Sequence, residues 1–149
     1  MYVASGDSGV GVTFLSRYPE EENQFYRLRR YKQRPTFHLA PHPHGVQEVS
    51  GTLDSGIDPT PGTFYRFLIE VEDTGTQTDI RAKLWPDGDP EPAGYQIEAY
   101  DDSPDRIISG TVGVWTFGSG ENRFDDLEVL GPPAGGSGGP TRTIRAALG

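Results

Sequence analysis

The sequence has no cysteine, one methionine and two tryptophans, and only 34% of its residues are hydrophobic. Without cysteine there is no disulfide framework, so a core, a metal or a partner must hold the fold. No apolar run exceeds a few residues, which excludes a membrane-spanning helix; no membrane insertion is expected. Basic residues are scarce as well: Lys and Arg number 13 against 22 Asp and Glu, a net charge of −9. Nucleic-acid binders carry the opposite field, so no nucleic-acid partner is expected. A helical period and an internal repeat are missing too. Met1 leads straight into Tyr2-Val3-Ala4 and Ser5-Gly6-Asp7, with no basic stretch and no long apolar stretch of the kind a signal peptide shows.

Glycine and proline are abundant, at 20 and 13 residues. Between them run segments with the two-residue alternation of half-buried strands. Val10, Val12 and Phe14 alternate with Gly11, Thr13 and Leu15. Tyr26 and Leu28 alternate with Arg27 and Arg29. Tyr65, Phe67, Ile69 and Val71 share one face, as do Ile80, Ala82 and Leu84. Tyr95, Ile97 and Ala99 alternate with Gln96, Glu98 and Tyr100, and Val112 and Val114 with Gly113 and Trp115. Asp73-Thr74-Gly75-Thr76 is a short hairpin turn between the two strongest strands. Short strands at short spacing predict an all-β antiparallel sandwich over 1–130. A Gly/Pro-rich linker over 131–140 and a C-terminal tail over 141–149 follow, the tail being an edge strand or the start of a further element.

Four stretches resemble the C-terminal half of concanavalin A-like (laminin G-like) jelly-roll domains. They are the segment from Gly62 to Glu72, Ile80 to Gly88 with its Trp85-Pro86-Asp87-Gly88 ending, Gly110 to Ser119, and Phe124 to Val129. The similarity is to 3-keto-disaccharide hydrolase-like domains and to lectin-like accessory modules of secreted bacterial proteins. It covers roughly residues 10–130 and implies fold more than activity, because this sandwich hosts lectins, hydrolases and structural modules alike. The family places further strands before Val10, and Met1 to Ala4 reads as the tail end of one. The sheet is therefore expected to lack its N-terminal strands. A neighbouring chain, a second copy in a homo-oligomer, or the 141–149 segment would cover the open edge.

Around Phe124, Leu127 and Val129 the alternation slips, and a bulge at Asp125-Asp126 repairs it while turning a carboxylate inward. In similar jelly rolls an Asp here helps hold structural calcium, so Asp125 is the candidate Ca2+ ligand; the alternative is an Asp satisfied by backbone N–H groups. His38, His42 and His44 lie in one short stretch and form a candidate transition-metal set, or a polar Pro-rich loop. Arg27, Arg29, Arg30, Lys32 and Arg34 cluster around Tyr31, suited to an anionic sugar or a phosphate, or else to pairing with Glu70, Glu72 and Glu98. Trp85 and Trp115, with Tyr100 and Phe117, are sugar-stacking candidates or core residues. No carboxylate pair has glycosidase spacing.

The resulting expectation is a non-catalytic carbohydrate-binding or adhesion module, extracellular or surface-associated. Its partner is a glycan or polysaccharide, with Arg27, Arg29, Arg81, Trp85 and Trp115 as contacts. The rivals are a structural or assembly protein of a phage or filament, and a glycosidase-like enzyme of the 3-keto-disaccharide hydrolase type.

Overall fold

The computed structural model describes residues 1–17, 23–43, 48–131 and 142–146. Its strands are β1 (Gly9–Ser16), β2 (Phe25–Tyr31), β3 (Arg34–His42), β4 (Val49–Thr52), β5 (Tyr65–Asp73), β6 (Thr78–Pro86), β7 (Ile97–Asp101), β8 (Thr111–Phe117), β9 (Leu127–Leu130) and β10 (Arg142–Ala146). Four of them form one antiparallel sheet in the order β3-β2-β1-β8, and six form the other in the order β4-β7-β6-β5-β10-β9. No helix occurs among the described residues. The molecule is an antiparallel β-sandwich, as the alternation predicts.

The alternating apolar residues make the core between the sheets. Val10, Val12, Phe14, Tyr26, Leu28 and Phe37 from the four-stranded sheet are fully buried. Phe67, Ile69, Ile80, Leu84, Ile97 and Ile144 meet them from the six-stranded sheet. Each such burial is worth roughly 1.5–3 kcal/mol. A polar tie crosses this core. Tyr26 on β2 donates its hydroxyl to Asp101 Oδ2 at the end of β7 and accepts from the Ile107 N–H at 3.2 Å. Asp101 is fully buried, and its Oδ1 accepts from the Ser103 N–H at 3.0 Å and the Ser103 hydroxyl at 2.6 Å. Burial, then the Asp101 carboxylate, push the Tyr26 phenol above its usual range.

The 141–149 segment is neither a tail nor an edge strand where it is described. It supplies β10, which pairs with β5 from Phe67 to Val71 and with β9 on its other side. Further along the same edge of β5, Met1 and Val3 exchange backbone hydrogen bonds with Gly62, Thr63 and Tyr65, and Tyr2 bridges Phe64 and Arg123. That edge of β5 and of the residues before it is covered by this chain's own 1–3 and 142–146 segments. The rest of the expected linker, 132–140, lies outside the described residues.

Three further expectations are corrected. Asp126 adopts a left-handed φ of 50°, but no carboxylate turns inward there, since Asp125 and Asp126 are both exposed. Leu127, Val129 and Val114 sit on the inner sides of β9 and β8, yet remain 41%, 50% and 52% exposed. Those strands are the outermost of their sheets; alternation fixes the side a residue faces, not whether anything covers it. Tyr95 precedes β7 and lies outside the core, donating to Glu70.

Candidate functional site

Since Val10, Val12 and Phe14 point inward, Gly9, Gly11 and Thr13 face outward from β1. Register then sets their neighbours: Trp115 and Arg29 flank Gly11, Phe117 stands beside Gly9, and Arg27 stands beside Thr13. The glycines make room. A Cβ on Gly9 would lie 2.8 Å from the Trp115 ring, and one on Gly11 only 2.5 Å from the Leu28 carbonyl oxygen. The indole therefore lies across β1 where a side chain would otherwise stand.

The result is a ribbon of cations and rings. The Arg27 guanidinium carbon is 4.8 Å from the Trp115 ring centre and 5.4 Å from that of Phe25. Arg29 is 5.4 Å from Trp115 and 4.6 Å from Tyr31. Trp115 and Phe117 stack at 6.1 Å with planes 7° apart, and Phe25 stacks on His42 at 4.7 Å. A depression of about 340 Å³, lined by Thr13, Phe25, Thr111, Gly113, Val114 and Trp115, opens beside it.

The electrostatics are unusual. Arg27 is 6% exposed, and among the described residues neither it nor Arg29 has an ion-pair partner. The Nε atoms of both are buried without a hydrogen-bond partner. Burial, helped by the neighbouring Arg29, lowers Arg27 to about 10, and burial lowers Arg29 as well. Both stay charged at neutral pH. Each ring contact returns roughly 0.5–2 kcal/mol of the desolvation cost. The four strands of this sheet contain no Asp or Glu.

The acidic partners expected for these arginines are elsewhere. Glu70 and Glu72 on β5 and Glu98 on β7 share the outer face of the six-stranded sheet with Asp79 and Arg81. There Glu70 pairs with Arg81 at 3.5 Å. The other clustered cations are engaged locally. Arg30 is buried and donates to the Ser8, Gly6 and Pro35 carbonyls, Lys32 pairs with Asp7 at 2.8 Å, and Arg34 with Asp54 at 3.8 Å.

The five contact candidates thus divide between opposite sides of the sandwich. Arg27, Arg29 and Trp115 come together; Arg81 and Trp85 lie on the far sheet, where Trp85 is only 8% exposed. Sequence reasoning missed Phe25, which shares the parity of Arg27 and Arg29, and the space-making role of Gly9 and Gly11. Both signals lay in the alternation.

The candidate metal ligands do not converge where they are described. His38 and His42 are four residues apart on β3, roughly 13 Å along an extended strand, too far to share one ion. His44 lies outside the described residues. Asp125 is exposed, and its Oδ1 accepts from the Asp126 N–H. Calcium needs six to eight oxygens, and among the described residues no three acidic or histidine side chains gather to hold an ion.

His38 is instead a buried neutral imidazole. It is fully buried, Nδ1 lies 2.8 Å from the Thr36 carbonyl oxygen, and burial lowers its pKa to about 4. An unfolded histidine titrates near 6.5, so the unfolded chain takes up this proton first as pH falls. The His38 contribution is complete above about pH 6.5 and is lost towards about pH 4, by about 3 kcal/mol. Urea unfolding across that window should give a steeper pH slope for the wild type than for His38→Gln.

Comparisons of the chain with protein-family models, with characterised proteins and with solved structures find no match.

Proposed function

We propose that this chain is a non-catalytic carbohydrate-binding or adhesion module of a secreted or surface protein, concanavalin A-like in its sandwich. The outer face of β2, β1 and β8 takes the glycan. The observation that carries this reading is the Arg27–Trp115–Arg29 arrangement on a sheet whose strands have no carboxylate. An indole face receives the C–H groups of a sugar ring while guanidinium N–H groups donate to its oxygens. Glycosidic hydrolysis needs two carboxylates flanking the bond, and these strands offer none, which favours binding over turnover.

Affinity electrophoresis through gels containing neutral and acidic polysaccharides tests the reading. Retardation by at least one glycan is expected, and Trp115→Ala should weaken it by roughly 30-fold, the effect of losing a central aromatic anchor. Trp85→Ala, on the opposite sheet, should leave it in place. Running the gels with calcium and then with EDTA tests the metal separately, since loss of retardation in EDTA would add one to the site. A protein that migrates freely through every gel would overturn the proposal.

A second reading, a structural or assembly protein, is favoured by the apolar residues that β8 and β9 expose, Val114, Leu127 and Val129. It expects stable oligomers by mass in solution and no glycan affinity.

A further inference from the structure

We infer that the ligand is an acidic glycan, whose carboxylate or sulfate group is received jointly by Arg27 and Arg29 while its ring lies on Trp115. The inference rests on the carbohydrate reading and narrows it.

Among the described residues, Arg27 and Arg29 stand on one face without an acidic partner. Arg27 is more than nine-tenths buried, and its Nε and that of Arg29 have no hydrogen-bond partner. A buried charge is ordinarily paired. Here four adjacent strands supply no acid, although the molecule carries 22 of them. An external anion would supply the counter-charge that the described residues do not. Guanidinium forks fit the planar oxygens of a carboxylate or sulfate in pairs, which gives direction as well as attraction. Both forks lie against the same indole, so one anionic group held between them stands beside a surface suited to its own sugar ring.

A neutral sugar leaves both charges uncompensated. A nucleic acid has the rings and the anions, but its binding sites follow the backbone with a run of cations. This site has two, and the whole molecule carries a charge of −9. A single anionic group per sugar unit matches the site better.

The test compares polymers that differ only in charge: polygalacturonate with its carboxyl-reduced product, and chondroitin sulfate with desulfated chondroitin. The full chain should bind at least one acidic polymer, and neutralising that polymer should weaken binding about 30-fold or more. The carboxylate and sulfate arms identify which group is received. The double variant Arg27→Gln, Arg29→Gln should lose acidic binding by a similar factor, and its melting temperature should hold or rise because two unpaired charges are gone. Replacing both by lysine should restore part of the binding, since charge returns without the fork.

Equal binding of acidic and neutral polymers, or an unaffected double variant, would overturn this inference and leave the carbohydrate reading standing. No binding to any polymer would overturn both. Tighter binding of a single-stranded oligonucleotide than of any glycan would overturn both in favour of nucleic acid.

Discussion

Replacing Asp101 with alanine is expected to lower stability by about 4 kcal/mol, since each buried donor left unpaired costs roughly 1–3 kcal/mol. Three donors lose their acceptor: the Tyr26 hydroxyl, the Ser103 N–H and the Ser103 hydroxyl. Tyr26 is fully buried, so its stranded hydroxyl has no water to turn to. The loss is also spatial. Tyr26 belongs to the four-stranded sheet and Asp101 to the six-stranded one, so this network fixes one sheet against the other. Tyr26→Phe should cost less, about 2 kcal/mol, because it strands two groups, the Ile107 N–H and Asp101 Oδ2, where the alanine strands three. Denaturant unfolding of both variants and of the double variant gives the coupling; effects that merely add would contradict a shared network.

Ile144→Asp should be at least as damaging, at about 4 kcal/mol or more. Ile144 is 2% exposed and pairs with Ile69 on one side and Val129 on the other. A carboxylate there sits in the core, and a loosened β10 also releases β9, whose only partner strand among the described residues it is. Ile144→Val, which keeps the shape class, should cost roughly 0.5–1.5 kcal/mol. If the segment were a passive tail, the aspartate variant would unfold at the same urea concentration as the wild type.

These two residues mark the limits of what alternation conveys. β5 and β6 are legible residue by residue, because Phe67, Ile69, Val71, Ile80, Ala82 and Leu84 are all large or well packed and strictly alternate. β10 is five residues long with Ile144 as its one large apolar side chain, too little for a period to register. Asp101 ends a strand followed by Asp102 and Ser103, which reads as an ordinary polar turn. Only the partner 75 positions earlier makes it a core residue. The same holds for the candidate site. Arg27, Arg29 and Trp115 are visible singly, but that β1 lies between β2 and β8 is a fact of sheet order, and local sequence does not contain it. Charge pairing was misread for the same reason: Glu70 and Arg27 belong to different sheets.

The partition of charge between the sheets has a consequence for encounter. The strands of one sheet carry arginines and no acid, while on the other outer face Glu70, Glu72, Asp79 and Glu98 outnumber Arg66, Arg81 and Lys83. This is an electric dipole running through the thickness of the sandwich, superposed on a negative monopole. Approaching an anionic surface, the molecule is repelled as a whole while a torque turns its arginine face forward. Both forces fade beyond about 8 Å at physiological ionic strength, so orientation is settled in the last layers of water. Molecules docked in this way present their acidic sheet outward. A surface coated with them keeps its original sign, and the layer repels the next arrival instead of nucleating it.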